Sequence, residues 1–474
     1  MLVSFEQKYG PLVIERKKLG TQSFAAFYCA GGNCVYSREE KLFYEYNWRN
    51  GKWESKTDEE MISTISTAIY EFADVEGLGN ELASQRKVSI IKEIMTYMKA
   101  LAGVDITFFQ KKTNYIHCAD GMLELSEDGT WIRKGFSAQY HSRNQCELSF
   151  DPDADCPRFK NDLLRPLLDP EDIDLLQLCF GQCLLGINLT QTIFLMTGSG
   201  GSGKGTLANI LERVVGSSNW MQIRPEHIAG RFETSSFFGK TLLSGKESNK
   251  SFFTAKGMGI MKSLVGDDTL RIELKHSNEQ RMIRGAFNIF IVGNTVPVLE
   301  FESHDDLSAW HRRLRWIKCR NYVPPRAIDH FCDILCQEEG SGILNWCLEG
   351  AKKIILAKSS RLPISQHQEE RLSFLFRQSF QMEDFLRNYL EPDPSSNLTV
   401  EEIYLIYIQV AELKGWQIIP QQRFQKDLPE FMQIIFHENR ARDIPRIRNS
   451  DHKKTNRAGF RHVRIKKIDT ETPI

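Results

Sequence analysis

The chain has 474 residues, of which 41% are hydrophobic and 26% are charged. At about 150 residues per domain, this length predicts roughly three domains. Its 61 Lys and Arg balance 61 Asp and Glu, and the net charge of zero excludes a chain that is basic throughout or an acidic tail protein. Because no residue class is in large excess, the composition predicts a soluble globular protein.

The N-terminus and the cysteines predict an intracellular environment. The first ten residues, MLVSFEQKYG, lack a basic stretch followed by an apolar core, so they do not resemble a secretory signal. No apolar run approaches the roughly 18 residues of a membrane-spanning helix. The 11 Cys are typical of reduced thiols, and no second pair follows Cys29 and Cys34 at zinc-finger spacing. We therefore expect a cytoplasmic protein without membrane contact.

The first part of the chain contains no chemical motif. Residues 1–110 combine aromatic-rich stretches such as KLFYEYNW with one helix, predicted from Asp58 to Phe72 by its apolar spacing. This pattern predicts an N-terminal α+β accessory module. Residues 111–185 form a flanking region, in which we predict a hairpin (NYIHCADGMLEL), an acidic loop (DPDADCPRF) and a helix (PEDIDLLQLCFG).

Residues 186–325 alternate short apolar runs with helical stretches, which predicts an α/β sheet with crossover helices. The strongest motif is a glycine-rich loop between the apolar run TIFLMT and the amphipathic segment LANILERVV, the required context of a phosphate-binding loop. Backbone N–H groups and the helix N-terminus attract phosphates there, and the Lys adds a charge for the β- and γ-phosphates. The loop consists of Gly198, Ser199, Gly200, Gly201, Ser202, Gly203, Lys204, Gly205 and Thr206.

The hydroxyl residue of this loop lies one position later in the sequence than it does in the usual phosphate-binding loop. Gly205 follows Lys204, where a Ser or Thr usually coordinates Mg²⁺, and Thr206 comes next. We expect Thr206 either to hold the metal through water or to contact the α-phosphate. Since the string GSGKGT also resembles the loop of adenylate kinases, the loop alone fits both a nucleotide kinase and an ATP-driven motor.

Further positions in this segment suit ATPase chemistry. Glu247 follows a short apolar strand, where a carboxylate can orient Mg²⁺ and polarise the attacking water, although a surface Glu at a strand end has the same pattern. Asn294 ends the apolar run FNIFIVG, where its amide can sense the γ-phosphate. Arg312 and Arg313 precede another apolar run, and in a ring such an arginine reaches the ATP of a neighbouring subunit.

The last two segments are predicted to be helical and then basic. Residues 326–370 have helical periodicity over most of their length and form a helical extension. Residues 371–474 contain a helix capped by Thr399, a second helix from Gln421 and a basic tail, which are typical of a winged helix. A small helical cap with a frayed tail fits this pattern equally well.

The basic tail favours docking on duplex or forked DNA. Between His437 and Lys467 there are eleven Lys or Arg and three acids, an excess of eight positive charges. Such side chains bind phosphates. Basic tails are common, so this interpretation depends on the motifs that precede the tail in the chain.

In this order, the motifs resemble the superfamily 3 helicase module of phage, plasmid and large DNA virus primase-helicases, a AAA+ P-loop ATPase. The matching text covers about half of the chain and runs from NYIHCADGMLEL through FLMTGSGGSGKGT, KESN, MKSLVGDDTLRIELKH, FIVGNTVP and WHRRLRWI to GILNWCLEGAKKII. The resemblance implies an α/β fold with a AAA+ core of the superfamily 3 type, and ATP and Mg²⁺ as cofactors.

The resemblance also implies roles for single ATPase residues. Lys204 and Thr206 would lie at the phosphates, and Glu247 would be the Walker B acid that holds the metal together with Thr206. Asn294 would be sensor 1. Arg313, in preference to its neighbour Arg312, would be the arginine finger.

In the same family, the segment before sensor 1 forms a hairpin that lines the pore of the ring and grips the nucleic-acid backbone. Lys275 and His276 match the tip of that hairpin. A Lys-His pair between strand-like runs suits phosphate contacts that depend on salt and not on base sequence. An exposed strand lysine is the alternative for Lys275.

We therefore predict an ATP-dependent DNA helicase or translocase of a viral or mobile-element replication system, located in a bacterial or archaeal host or at a viral replication site. It would act as a homo-oligomeric ring, a hexamer, on single-stranded and forked DNA. The first 110 residues are too few for the family's primase domain, so we expect either a stand-alone helicase with a primase or polymerase as partner, or the helicase portion of a longer replication factor. A P-loop nucleotide kinase and an ATP-dependent origin-binding or loading factor without unwinding are the alternatives.

Overall fold

The computed structural model describes the chain except at residues 1–7, 15–17, 106, 111, 225–227, 229–233, 247–252, 274–279, 298, 300–303, 325–327, 379, 417, 448–453 and 467–474. Its contacts divide the chain into two units. The first contains Met1–Pro297 and Arg312–Ser365, and the second contains Val298–His311 and Gln366–Ile474. The last domain boundary predicted from the sequence lies nearby, between residues 370 and 371.

The N-terminal part of the first unit is an α+β module. Its four-stranded sheet has the order β5-β4-β3-β6 and packs against three helices. The strands are β1 (Val13–Ile14), β2 (Lys18–Leu19), β3 (Cys34–Ser37), β4 (Leu42–Asn47), β5 (Lys52–Lys56) and β6 (Gly103–Val104). The helices are α1 (Thr21–Ala30), α2 (Asp58–Val75) and α3 (Val88–Leu101), with short turns at Gly79–Leu82 and Ala83–Arg86. The helix predicted to start at Asp58 is confirmed, because Thr57 caps it with a capping box.

The flanking region begins with the predicted hairpin. The antiparallel strands β7 (Tyr115–Cys118), β8 (Gly121–Leu125) and β9 (Trp131–Lys134) form a three-stranded sheet. A π-helical turn at Phe159–Leu164 and a short turn at Arg165–Leu167 then lead to helix α4 (Pro170–Leu185). Leu163 reaches the glycine-rich loop, where its Cδ1 lies 3.1 Å from the place that a Cβ on Gly203 would take.

A five-stranded parallel sheet forms the centre of the first unit. Its order is β11-β12-β15-β10-β16, and its fully buried central strands are flanked by helices, as is typical of a parallel sheet. The strands are β10 (Ile193–Thr197), β11 (Trp220–Gln222), β12 (Leu242–Gly245), β15 (Asn288–Gly293) and β16 (Leu314–Lys318). The α/β sheet with crossover helices that the sequence predicted is confirmed.

Three helices, one hairpin and the last two residues of a fourth helix complete this region, and the rest of that fourth helix belongs to the second unit. Helix α5 (Lys204–Val215) follows β10, and α6 (Ala255–Val265) precedes the antiparallel hairpin of β13 (Thr269–Glu273) and β14 (Gln280–Arg284). Helix α7 (His304–Arg313) ends directly before β16, and the long helix α8 (Phe331–Ala357) packs against α4 and α5. Among the described residues, no helix is both long and apolar enough to cross a membrane.

The C-terminal unit has its own apolar core and a three-stranded antiparallel sheet of order β17-β19-β18. Its helices are α9 (Gln366–Gln378), α10 (Gln381–Tyr389), α11 (Val400–Leu413) and α12 (Gln421–Phe436), and its strands are β17 (Leu390–Thr399), β18 (Ala441–Ile447) and β19 (Lys454–Ile465). From α10 onward the order is helix, strand, two helices and a two-stranded hairpin. The two predicted helices and the strand-like basic tail are confirmed, and β17 adds a third strand.

All eleven cysteines are free thiols, and eight of them are buried. Every one lies within the segments of the first unit, because the last is Cys347. The sequence expectation of reduced thiols agrees with this arrangement.

Candidate functional site

The glycine-rich loop lies between the end of β10 at Thr197 and the start of α5 at Lys204. Gly201 and Gly203 have φ angles of 74° and 103°, a left-handed conformation that glycine adopts without strain. Successive N–H groups in such turns, together with the start of a helix, form a concave anion site. Ser199 Oγ is buried and has no hydrogen-bond partner among the described residues. The loop therefore fits a phosphate group.

Gly198 lets the loop pass close to β16. A Cβ at this position would lie 2.5 Å from the Cβ of Cys319, a distance that real side chains do not adopt. On the other side, the Gly198 N–H donates to the Gly293 carbonyl of β15 at 3.2 Å. The loop is thus held between the two strands that flank β10.

Lys204 is buried within the loop, with 4% of its surface exposed. Its ammonium donates to the Ser199 carbonyl at 2.6 Å and to Ser202 Oγ at 3.3 Å. Burial lowers the pKa of Lys204, and the neighbouring Cys319 partly opposes this shift. A cation held by loop oxygens in this way can transfer its hydrogen bonds to phosphate oxygens.

Only part of the predicted magnesium site can be described. Thr206 is half-buried in the first turn of α5 and lines a cavity of about 710 Å³ beside the loop. The residue before Thr206 adjoins open space, because a Cβ on Gly205 would meet no atom within 4 Å. Thr206 thus lies beside open space at the start of α5, while Glu247 lies outside the described residues. The described part of the chain contains no cluster of three or more His, Cys, Asp and Glu side chains around a metal position.

The carboxyl ends of the parallel strands bring Asn294 to the loop. Thr197 pairs with Gly293 in the sheet, and Asn294 is the next residue, exposed at that edge. Strand β12 ends at the same edge, separated from β10 by β15. The structure therefore places Asn294 between the phosphate loop and the strand end that leads to Glu247.

A polar cluster that the sequence did not predict joins α5 to the end of β12. Glu212 accepts hydrogen bonds from Ser244 Oγ at 2.7 Å and from the Lys246 ammonium at 2.8 Å. The same ammonium donates to Asn209 Oδ1 at 2.8 Å and lies 5.3 Å from the ring centre of Trp220. A signal for it exists in the sequence, because Glu212 is an acid on the apolar face of LANILERVV.

The two candidate arginines differ in exposure. Arg313 is 6% exposed and donates to Gln191 Oε1 at 3.3 Å, and burial together with the charge of Arg312 lowers its pKa. Arg312 is exposed, whereas Arg313 is buried. Both precede β16, so they lie at the edge of the sheet opposite the phosphate loop. They do not meet the Lys204 site of their own chain, and this position suits contact with a second chain.

The hairpin with Lys275 and His276 is described only at its base. Strands β13 and β14 pair in antiparallel register, with Glu273 opposite Gln280. Lys275 and His276 belong to residues 274–279, which lie outside the described residues.

In the basic tail, many positive charges are paired with acids of the same unit. Arg446 binds both carboxylate oxygens of Glu402 at 2.7 Å. Other pairs of this kind are Arg457 with Glu401, Arg461 with Asp443, and Arg464 with Glu391. Arg440 and Arg442 are exposed, and no ion pair among the described residues includes them. The count of basic residues therefore overstates the charge that is open to a partner.

Two family models match the chain. One, described as D5 N terminal like, matches residues 27–164, and the other, a family of unknown function called DUF5906, matches residues 196–313. The second match runs from β10 to the arginine pair. No curated protein matches the chain.

Among solved structures, the chain is similar to apo structures of the C-terminal region of NrS-1. For the A form, the identity is 15%, the coverage is 92% of this chain and 98% of that chain, and the TM-score is 0.43. For another apo structure the values are 14%, 93%, 99% and 0.45. Similarity at this level bears on neither ligands nor mechanism.

Proposed function

The chain carries two domains that are typical of superfamily 3 primase-helicases from phages and plasmids, and from this premise we propose that it is an ATP-dependent DNA helicase or translocase. The match confirms the family resemblance of the motifs. It supports an ATPase- or helicase-associated replication protein, and the resemblance implies the use of ATP and the binding of DNA. The individual steps of the reaction and of movement along DNA are our proposal.

One observation carries the proposal: the phosphate loop, with Lys204 buried in it, lies beside Asn294 at the carboxyl edge of a five-stranded parallel sheet. ATP would place its phosphates on the loop N–H groups and on Lys204, with Mg²⁺ held by Thr206 and Glu247. Asn294 would orient the attacking water from its position between the loop and the end of β12. The two arginines support a ring, because they lie at the edge of the sheet opposite the phosphate loop of their own chain and so would not reach the ATP bound there.

We assign the arginine-finger role to the Arg312–Arg313 pair. The sequence implied Arg313, but in the single chain Arg312 is the more accessible member and Arg313 is bound to Gln191. In a homo-oligomeric ring, which we take to be a hexamer, this pair would neutralise charge on the neighbour's ATP. Hydrolysis would then move the hairpins with Lys275 and His276 along one DNA strand.

The C-terminal unit would dock on duplex or forked DNA. Its element order from α10 to β19 and its sheet order support a winged helix, in which the second helix of the pair, α12, faces the major groove. Phosphate contacts from the hairpin would hold it in place. A separate primase or polymerase would supply primers.

A forked-duplex unwinding assay with ATP tests the proposal, together with DNA-stimulated ATP hydrolysis. We expect strand displacement by the unmodified protein, loss of hydrolysis in Lys204→Ala, and hydrolysis without displacement in Lys275→Ala. Rings on DNA without displacement would favour a loading factor, and stimulation by a nucleoside monophosphate instead of DNA would favour a nucleotide kinase. Hydrolysis that persists in Lys204→Ala would contradict the assignment of the loop.

A further inference from the structure

We propose that Glu212 and Lys246 are positioning residues of the ATPase site, which fix the carboxyl end of β12, the strand that precedes Glu247 in the sequence, against α5. The inference rests on the proposed function, because it takes Glu247 as the acid of the reaction. The four residues Asn209, Glu212, Ser244 and Lys246 together form a contact that we call the α5–β12 clamp.

The clamp joins the two elements that the reaction must keep in register. Helix α5 begins at Lys204, and Glu212 lies eight residues later on the same helix, about 12 Å along its axis. Lys246 is the residue after the end of β12 and the residue before Glu247. An ion pair between them therefore ties the phosphate-binding helix to the origin of the acidic side chain.

The ion pair is partly buried, because the carboxylate is enclosed while the Lys246 side chain is 33% exposed. Glu212 is 6% exposed, and each of its carboxylate oxygens accepts one hydrogen bond, from Ser244 Oγ and from Lys246 Nζ. A buried carboxylate keeps its charge only when it is paired and hydrogen-bonded in this way. Arg213, the next residue of α5, instead pairs with Asp333, and both of those side chains are about half exposed.

Lys246 is fully engaged by the clamp. Its ammonium has three N–H donors, and it contacts Glu212, Asn209 and the ring of Trp220. This arrangement explains why a Lys precedes the acid at a position where the sequence offered no role for a cation.

The test compares Glu212→Gln, Lys246→Met and the double variant, with Arg213→Ala as the exposed control on the same helix. Because small displacements of a reacting group are costly, we expect kcat for ATP to fall roughly tenfold to a hundredfold in all three clamp variants. The KM for ATP should stay within about twofold, because the loop itself is intact. Arg213→Ala should leave kcat unchanged.

The double variant separates positioning from stability. It leaves no buried charge without a partner, so its melting temperature should return close to that of the unmodified protein while kcat stays low. Recovery of both values would overturn the proposal and leave the clamp a stabilising contact only.

Amide hydrogen exchange supplies a readout that does not depend on hydrolysis. In the double variant, the amides of β12 should exchange at least tenfold faster, while those of β10 should not change. Unchanged exchange in β12 would overturn the inference. If the unmodified protein hydrolyses no ATP, the proposed function fails by itself, and the exchange result still decides whether the clamp fixes β12.

Discussion

At the scale of single residues, Gly198 has the least room for a side chain within the loop. In Gly198→Ala the new Cβ would overlap the Cβ of Cys319, so the loop or β16 must move. We expect a loss of about 1–3 kcal/mol in the free energy of unfolding and weaker ATP binding. Urea unfolding and nucleotide titration measure the two effects.

Gly200→Ala is the matched control for this change. A Cβ on Gly200 would meet no atom within 4 Å, so stability and ATP affinity should stay near those of the unmodified protein. Equal losses in the two variants would mean that flexibility of the whole loop, and not the contact with Cys319, sets the requirement for glycine.

Substitutions of the two arginines before β16 should affect different properties, one the stability of the fold and the other the rate of ATP hydrolysis. Arg313→Ala removes a buried side chain bound to Gln191, so we expect about 1–3 kcal/mol of destabilisation. Arg312→Ala should unfold at the same temperature but lower kcat of the assembled protein by about a thousandfold, the effect of a lost arginine finger. An Arg313→Ala protein with normal stability and no hydrolysis would assign the finger to Arg313, as the family resemblance implies.

Residues of the loop could be predicted from sequence because their signal is local. The strand, the glycines, the lysine and the helix follow one another within about 25 residues. The structure of a phosphate-binding loop explains why each of them is needed at its position. The pairing of Glu212 with Lys246 spans 34 residues and depends on the register of α5 against β12, which no short pattern contains. The same applies to the burial of Arg313, since its partner Gln191 is 122 residues away.

At the scale of elements, helix α11 and strand β18 are joined by a carboxylate whose charge matters for stability. Glu402 completes the capping box of Thr399 and also binds the Arg446 guanidinium through both oxygens. The Arg446 guanidinium, followed by the Thr399 N–H, holds the pKa of Glu402 below its usual range. The pair therefore stabilises the fold above the pKa of an unfolded Glu, and this contribution is lost as the pH falls through the lower folded value.

Glu402→Gln should thus be less stable by about 1 kcal/mol at pH 7, a modest figure because the side chain is 38% exposed and screened by solvent. At a pH below the lowered pKa of the folded protein the difference should vanish, because the unmodified carboxylate is then protonated as well. Urea unfolding of both proteins at the two pH values measures it. A difference in stability that persists at low pH would show that the cap depends on the shape of the Glu402 side chain and not on its charge.

The hairpin of β18 and β19 should bind DNA with fewer contacts than its composition suggests. Arg440→Ala with Arg442→Ala should reduce the slope of log K against log salt by about 2, since each phosphate contact contributes about 0.9. Arg461→Ala with Arg464→Ala is the matched control, and its effect should be smaller because both side chains are paired with acids. Equal effects would mean that DNA displaces those acids.

Element types were easier to predict than their arrangement. The helices beginning at Asp58 and Gln421 have clear amphipathic spacing, and Thr57 and Thr399 cap two of the helices. The order of the parallel strands could not be read in the same way, because crossover connections leave several orders open. Strand β17 was missed because its text, LEPDPSSNLT, contains two prolines and several turn residues, and it pairs only with the distant β19.

At the scale of the whole molecule, the opposite positions of Lys204 and the arginines predict shared sites between chains. In an equimolar mixture of Lys204→Ala and Arg312→Ala, a site is complete where an intact loop meets an intact arginine, which random assembly gives in about a quarter of sites. We therefore expect the mixture to regain ATP hydrolysis although each variant alone is inactive. A mixture as inactive as its components would place loop and arginine in the same chain's site.

The distribution of cysteines makes the two units distinguishable in one unfolding experiment. A thiol reagent added during denaturation reports only on the first unit, because the C-terminal unit has no cysteine to label. Trp310 and Trp416 lie in the second unit and the other six tryptophans lie in the first, so the aromatic signal reports on the melting of both units. A transition that the aromatic signal shows and the thiol reagent does not therefore belongs to the second unit, and the two units can be told apart without adding a dye.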